Sequence, residues 1–184
     1  QTTFPAFIEE RLKLLSALDV SHILSSRSLS HPNLQPLSET PKTYLYRNTM
    51  RHERAFIPRQ VQIAPSWDSL KQMLMNAQFD PKETLLLEPE EILKVPEQDL
   101  GGYDMGRDTL ITRTQDQRSG QSWRFSVNGP CFFVLTDTHF PGWTATLNAR
   151  KVPILKAYGL FRAVYIPNEG EYTISFRYNP FSQS

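Results

Sequence analysis

The segment from Asp137 to Val152, DTHFPGWTATLNARKV, places an aspartate, a histidine and a tryptophan around one Pro-Gly turn. Asp137 and His139 are two positions apart, so at the end of a strand both side chains would project from the same face. Such a pair could exchange protons or hold part of a metal site, but each role needs a third group that the sequence does not offer. The alternative is a solvated loop whose side chains bond to nearby backbone.

Other reactive residue types are sparse. Cys131 could act as a nucleophile with His139, but its apolar neighbours disfavour the thiolate and indicate a buried thiol. Gly101, Gly102 and Gly106 are too few and too irregularly spaced for a phosphate-binding loop. The four histidines do not follow a zinc-binding spacing; they are His22, His31, His52 and His139. We therefore predict no catalytic residue, no metal site and no cofactor in this chain.

A few side chains are instead candidates for contact with a ligand. They are Asp137, His139, Trp143, Arg150 and Arg162. For the tryptophan two interpretations stand: a core anchor at the start of a strand, or a platform on which a sugar ring stacks. A separate basic cluster could bind an anion, but Glu53 interrupts it and a solvated face is the alternative. The cluster consists of Arg47, Arg51, Arg54 and Arg59.

Length and composition bound the class of protein. The chain has 184 residues, enough for one large domain or two small ones, and a core of this size needs no disulfide or metal. Its 20 basic and 19 acidic residues give a net charge of +1, which offers no electrostatic reason to expect a nucleic-acid partner. No apolar run approaches the roughly 20 residues of a membrane-spanning helix. The chain starts without a methionine or a secretory signal pattern, so we expect a soluble piece of a longer protein.

The first region, residues 1–100, is predicted as a small α/β region. Apolar residues at helical spacing indicate an amphipathic helix over Ala6–Leu18, and Ser66 is placed to cap a second helix. Short strands are predicted between and after them, with Pro58 at an edge or a bulge. The stretch SLSHPNLQPLSETPK is predicted as a loop, because it contains three prolines and many small polar residues. The joint to the next region is predicted within residues 89–106.

The second region, residues 101–184, is predicted as an antiparallel β-sandwich of the jelly-roll or immunoglobulin-like type, which makes the chain an α+β protein. Apolar and polar residues alternate around Trp123, Trp143 and Tyr172, with turn residues about every 8–12 positions. The stretch CFFVLT does not alternate, which predicts a central strand covered on both faces. The Pro-Gly turn before Trp143 is predicted to direct that side chain into the core.

The stretch FFVLTDTHFPGWTATLNARKVPILKAYGLFRAVYIPNEGEYTISFRYNP resembles the C-terminal extracytoplasmic part of the YfhO family of bacterial integral membrane proteins. The shared marks are an apolar strand, a Thr-Asp pair, an aromatic-Pro-Gly-Trp turn, a hairpin with a basic residue, and LFRAVYIP before a glycine turn. Weaker similarity reaches back to about Leu14 through ALDVSHILSS, TYLYRNTMRHERAFIPRQV and FDPKETLLLE.

The resemblance implies a role in modifying the cell envelope. Members of this family look like polytopic glycosyltransferases that use a polyprenyl-phosphate sugar. Their catalytic acids are expected in loops between membrane helices, which this chain lacks, so no catalytic residue is carried over. The chain would then be a non-catalytic domain on the extracytoplasmic face of the bacterial membrane. Its partners would be the transmembrane region of the same parent chain and a cell-envelope glycan.

The chain departs from the family pattern in two places. Family hairpins carry Asp-Gly or Asn-Gly before the basic residue, whereas this one reads Asn148-Ala149-Arg150. Alanine disfavours the positive φ of a type I′ turn, so we expect a longer or differently shaped hairpin. The family's alanine-proline-arginine segment is also altered, because Phe56 and Ile57 stand inside it.

Four functions are compatible with these features. The domain could position an acceptor glycan for a parent glycosyltransferase, or form a structural cap that packs on its membrane partner. It could also be a free-standing carbohydrate-binding module. A soluble hydrolase has the least support, because no nucleophile, base and orienting group occur together. Exposed aromatic pairs would favour glycan binding, and a large exposed apolar patch would favour docking.

Overall fold

The computed structural model describes residues 11–51, 53–76, 78–96, 109–117 and 120–180. These residues form mostly antiparallel β-sheets and a few short helices. The helices are α1 (Leu12–Ala17), α2 (Trp67–Met75) and α3 (Pro89–Ile92). None of the described helices is long and apolar enough to cross a membrane.

The strands of the first region belong to three different sheets. They are β1 (His22–Ser25), β2 (Leu34–Glu39), β3 (Tyr44–Asn48), β4 (Ala55–Phe56), β5 (Gln60–Ile63) and β6 (Thr84–Leu87). The N-terminal sheet has the antiparallel order β1-β3-β2, whereas β5 and β6 form a parallel pair.

The strands of the second region build two larger antiparallel sheets. They are β7 (Thr112–Gln117), β8 (Gly120–Val127), β9 (Cys131–Thr138), β10 (Trp143–Leu147), β11 (Arg150–Val152), β12 (Leu155–Ala157), β13 (Phe161–Ile166) and β14 (Gly170–Tyr178). The five-stranded sheet has the order β11-β10-β14-β8-β7, and the four-stranded sheet has the order β12-β13-β9-β4. No helix occurs in residues 109–117 or 120–180, in agreement with the strand pattern of the sequence.

The four-stranded sheet is covered on both faces. On one face Cys131, Phe133 and Leu135 enter a core that also contains the inward side chains of the five-stranded sheet. On the other face Phe132 and Val134 enter a second core with the parallel pair and α2. Period-two alternation explains the division, since neighbours in a strand point to opposite faces. The prediction that CFFVLT is central and covered on both faces is confirmed.

Aromatic rings fill the core between the two large sheets. The ring centroid of Phe133, which is fully buried, lies 5.1 Å from that of Phe125 and 5.8 Å from that of Trp123. Phe176 adds a third ring at 6.4 Å. Ring pairs at such separations add roughly 0.5–1.5 kcal/mol each beyond the burial of their area.

Cys131 lies at the edge of this core and is 1 % exposed. Burial raises the pKa of its thiol to about 12, so almost no thiolate forms near neutral pH. We expect a thiol reagent to label the folded protein slowly and the chemically unfolded protein rapidly. Mass spectrometry over time measures both rates, and fast stoichiometric labelling of the native chain would contradict the assignment of a buried, unreactive thiol.

The first region contributes directly to the four-stranded sheet. Residues Ala55 and Phe56 of β4 pair with Leu135 and Val134 of β9, at the edge of the sheet. Pro58 lies between β4 and β5, which belong to different sheets, so the prediction that it lies at an edge or a bulge of one strand is wrong. Its missing N–H ends the pairing there instead. The joint is predicted within residues 89–106; its first part contains α3, residues 97–106 lie outside the described residues, and the division near residue 100 stays a prediction.

The helices match their predictions where they are described. Ser66 caps α2, because its hydroxyl accepts a hydrogen bond from the backbone N–H of Ser69 at 3.2 Å. The described part of the first helix is Leu12–Ala17, whereas the prediction extended back to Ala6. Residues 1–10 lie outside the described residues, so that extension stays a prediction.

The prediction of a continuous loop over residues 28–42 is wrong, because β2 lies within it. Its proline, Pro36, is accommodated because β2 is an edge strand with a register shift between Pro36 and Ser38. A proline lacks the backbone N–H that a central strand would need, but an edge or a bulge does not need it. The strand packs with α1 around a small core. The buried residues of this core include Leu12, Leu34 and Tyr46.

The expectation of a longer or differently shaped β10–β11 hairpin is also wrong. Leu147 pairs with Arg150, so the loop has only two residues, and both have positive φ: 46° at Asn148 and 65° at Ala149. The asparagine side chain stabilises this turn, since its Oδ1 accepts from the N–H of Thr173 at 2.8 Å. Its Nδ2 also donates to the carbonyl of Glu171 at 3.2 Å. Together the two bonds hold Ala149 in the left-handed region, which alanine by itself disfavours.

Substituting Ala149→Gly is therefore expected to raise the free energy of unfolding by about 1 kcal/mol, because glycine adopts positive φ without the steric cost. Chemical denaturation of the two proteins measures the difference. A less stable glycine variant would contradict this turn conformation in solution.

Candidate functional site

One carboxylate joins two strands and the residue before a third near the end of the large sheets. Asp137 accepts hydrogen bonds through Oδ1 from Arg54 Nε at 2.8 Å and Nη2 at 2.5 Å, and through Oδ2 from Arg162 Nη2 at 2.6 Å. Arg54 directly precedes β4, Asp137 lies in β9 and Arg162 lies in β13. We call this group, together with Trp143, the charge cluster.

The central cation of the charge cluster is buried. Arg162 is 1 % exposed, and its guanidinium carbon lies 3.8 Å from the ring centroid of Trp143 and 5.0 Å from that of Phe176. Burial lowers the pKa of this guanidinium to about 10, and Asp137 opposes the shift, so the group is a cation at neutral pH. Its Nε and Nη1 have no hydrogen-bond partner among the described residues.

Trp143 lies at the end of the core, as the alternation of β10 predicts. It packs against the core between the two large sheets, with Ala145 and Leu147 on the same face. One neighbour is the guanidinium of Arg162 and another is Tyr178, whose ring centroid is 5.3 Å away. The partly buried indole is thus packed between its own neighbours, which favours the core anchor over a sugar-stacking platform.

His139 lies just beyond β9 and is held through its backbone. Its N–H donates to the carbonyl of Leu160 at 2.7 Å. Burial is the largest influence on the imidazole and lowers its pKa, while Glu91 acts in the opposite direction. Both carboxylate oxygens of Asp137 accept from arginines, so the geometry does not support an acid–base pair of Asp137 with His139.

Arg150 does not join the other candidate residues. It opens β11 beside Leu147, whereas Trp143 starts β10 at the opposite end of the same strand. Four residues of strand separate the two positions by roughly 13 Å. The structure therefore brings together Asp137, Trp143 and Arg162, with His139 nearby, and leaves Arg150 at the other end of the sheets.

The basic cluster of the first region does not converge on one point. Arg51 pairs with Asp19, and Arg54 pairs with Asp137. A third member, Arg59, pairs with Glu83 at 3.1 Å. These three cations each contact a carboxylate and the fourth, Arg47, is exposed, which favours the solvated-face interpretation over an anion site.

A polar cleft of about 430 Å³ lies beside the charge cluster, on the five-stranded sheet. The hydroxyls of Ser122 and Ser175 are 2.8 Å apart within it, and Thr144 and Arg177 line its wall. Gln121 also lines the cleft. It is 9 % exposed, and its Oε1 accepts no hydrogen bond from the described residues.

Tyr178 supplies the aromatic surface of the polar cleft, and its ring is backed by Trp143. Arg177 is exposed and has no acidic partner among the described residues. The cleft therefore combines hydroxyls, a guanidinium and an aromatic ring in its lining. Among residues 11–51, 53–76, 78–96, 109–117 and 120–180 no group of three or more metal-binding side chains comes together.

A second cleft, of about 490 Å³, lies near the β10–β11 hairpin at the other end of the sheets. We call it the apolar cleft, because most of its lining is aliphatic, proline or tyrosine. The two cations of its lining are Lys94 and Arg150.

Sequence reasoning did not identify either cleft. The sequence does indicate, by alternation, that Ser122, Thr144 and Ser175 lie on the polar faces of their strands. What it does not supply is the strand order, which makes β8, β14 and β10 neighbours. No protein-family model, curated protein or solved structure matches the chain.

Proposed function

We propose that the chain is a non-catalytic extracytoplasmic domain of a polytopic bacterial membrane protein similar to the YfhO family. In this role it positions an acceptor glycan of the cell envelope for the parent glycosyltransferase. The alternative is a carbohydrate-binding module without an enzymatic link. The observation that carries both versions is the polar cleft, which offers the kinds of side chain that bind sugars.

The chemistry of the polar cleft suits a polyhydroxylated ligand. A sugar hydroxyl both donates and accepts, so it can accept from the exposed guanidinium of Arg177 and exchange hydrogen bonds with the hydroxyl of Thr144. Tyr178 presents a ring beside these groups, and aromatic rings are suited to pack against the apolar face of a sugar.

The fold offers a rigid support for such a cleft. Ser122 and Ser175 are paired directly across β8 and β14, and Thr144 is paired with Arg177 across β10 and β14. Because these positions are fixed by backbone hydrogen bonds of one sheet, little ordering is required when a ligand binds. We also propose that the two large sheets form a β-sandwich of the jelly-roll or immunoglobulin-like type. The core they share supports this architecture.

A structural cap on the membrane partner is a second candidate, favoured by one exposed apolar patch. Trp67, Phe140 and Leu160 are 49 %, 58 % and 44 % exposed. They are neighbours, because the Trp67 ring abuts Gly159 and the carbonyl of Leu160 accepts from the residue before Phe140. Such a patch suits the transmembrane region of the parent chain, and it lies on different residues from the polar cleft.

The test is isothermal titration calorimetry of the domain with neutral oligosaccharides built from hexoses and from N-acetylhexosamines. It measures the affinity for each oligosaccharide. We expect Arg177→Ala to weaken binding by about tenfold, the loss typical of one hydrogen bond to a charged group. Arg124→Ala is the matched control, because Arg124 is exposed in β8 and does not line the cleft. Equal affinities of the two variants, or no binding by the parent domain, would contradict the proposed function.

A further inference from the structure

We infer that the apolar cleft is a binding site for a small anionic amphiphile, a molecule with one apolar chain and one negatively charged head group. This site is separate from the polar cleft, because the two clefts share no lining residue. It is therefore an activity beyond the proposed glycan binding.

The walls of the apolar cleft provide the surface for the chain of such a molecule. Val152 is half-buried and Leu147 is 7 % exposed, and both line the cleft. Two prolines, Pro153 and Pro167, extend the same surface. The volume of about 490 Å³ lies within the roughly 300–1,000 Å³ of small-molecule sites.

Two polar side chains of the lining form hydrogen bonds within the protein. The side chain of Asn148 donates to the carbonyl of Glu171 at 3.2 Å and accepts from the N–H of Thr173 at 2.8 Å. The hydroxyl of Tyr172 donates to the carbonyl of Asn168 at 3.0 Å. A sugar would find few partners here, whereas an apolar chain needs none.

The charged side chains that line the cleft are both positive in the described part of the chain. Lys94 is already paired, with its Nζ 2.7 Å from Glu91 Oε2. Arg150 is exposed, and among the described residues it has no acidic partner and no aspartate or glutamate lines the cleft. Arg150 is therefore the cation that is available to a ligand, and a guanidinium is suited to bind carboxylate or phosphate through two parallel hydrogen bonds.

The hairpin fixes the position of this cation. Arg150 immediately follows the two residues with positive φ, and Asn148 ties that turn to β14. The backbone N–H of Asn148 also donates to the carbonyl of Thr173 at 2.9 Å. Because these bonds tie the turn to β14, the base of the arginine side chain is held beside the cleft that it lines.

The experiment compares four probes by calorimetry with the full chain: dodecyl phosphate, dodecanoate, dodecanol and inorganic phosphate. The two charged amphiphiles are kept below their micelle concentrations and the alcohol below its solubility limit. We expect both charged amphiphiles to bind with one molecule per chain, the alcohol to bind about tenfold more weakly, and inorganic phosphate to show no saturable binding. Tighter binding of dodecyl phosphate would indicate a lipid phosphate as the natural ligand, and tighter binding of dodecanoate would indicate a fatty acid.

Two variants locate the head group. Arg150→Gln is expected to reduce the affinity for both charged amphiphiles by about tenfold, to the level of the alcohol. Lys151→Gln is the matched control, because Lys151 is the next residue of β11, is exposed and does not line the cleft. Equal binding of alcohol and charged amphiphiles by the parent chain, equal effects of the two substitutions, or no amphiphile binding at all would overturn the inference. Glycan binding is measured separately, so either result stands without the other.

Discussion

Substituting Asp137→Asn is expected to lower the free energy of unfolding by about 3 kcal/mol. The substitution keeps the size of the side chain but removes the charge that balances Arg162, which is 1 % exposed. Breaking a buried ion pair by removing one partner typically costs about 3–5 kcal/mol, because the remaining charge stays buried without compensation. We expect a value at the low end, since Asp137 itself retains 15 % exposure. Chemical denaturation at neutral pH measures the change.

The matched control is Asp19→Asn. Asp19 also pairs with an arginine, Arg51, but the two side chains are 26 % and 52 % exposed. Exposed pairs contribute about 0–1 kcal/mol, so this variant should be nearly as stable as the parent. Asparagine also tolerates the positive φ of 61° at this position. Similar losses in the two variants would mean that the charge cluster is not a buried ion pair.

Substituting Trp143→Ala is expected to cost about 3 kcal/mol, the low end of the range for a buried tryptophan, because the indole is only partly buried. The loss combines the contacts with the core and the cation–π contact with Arg162 at 3.8 Å. Denaturation again gives the size of the loss. A variant as stable as the parent would show that Trp143 is not an anchor and would restore the sugar-stacking interpretation.

Leu93→Ala is the control for this truncation, because Leu93 is 83 % exposed and its loss should change stability by less than about 0.5 kcal/mol. Trp143 and Arg162 are in direct contact, so the costs of Asp137→Asn and Trp143→Ala are not expected to add. The coupling would be confirmed if the double variant loses less free energy of unfolding than the two single variants lose together.

The strands of the second region could be predicted because one signal dominates them. Where one face of a strand is buried, the period-two pattern predicts both the strand and the face that points to the core. Trp143, Ala145 and Leu147 are an example. The absence of alternation in CFFVLT was equally informative, since a strand covered on both faces has no polar side. The cap at Ser66 is a local signal and was predicted from its own neighbours.

Features that depend on distant contacts could not be predicted in the same way. β2 contains a proline and polar residues, and it is a strand only because β3 provides its hydrogen bonds. Ala149 adopts positive φ because Asn148 is bonded to residues of β14. In both cases tertiary contacts override the local preference.

The candidate site shows the same limit. The charged side chains of Asp137 and Arg162 made both residues candidates for a ligand site. The second arginine that contacts Asp137, Arg54, lies 83 residues earlier in the chain. Without that pairing the aspartate suggests acid–base chemistry, and with it the aspartate balances buried and half-buried cations. The polar cleft likewise arises from residues of three strands that are not consecutive in the sequence.

The most direct test of glycan binding at the polar cleft is a map of backbone amide chemical shifts during titration of the domain with a neutral cell-envelope oligosaccharide. We predict saturable shifts at Ser122, Ser175 and Arg177, with no matching shifts around Arg150. Shifts confined to other surfaces, or no shifts at millimolar ligand, would contradict the proposal that this cleft positions a glycan.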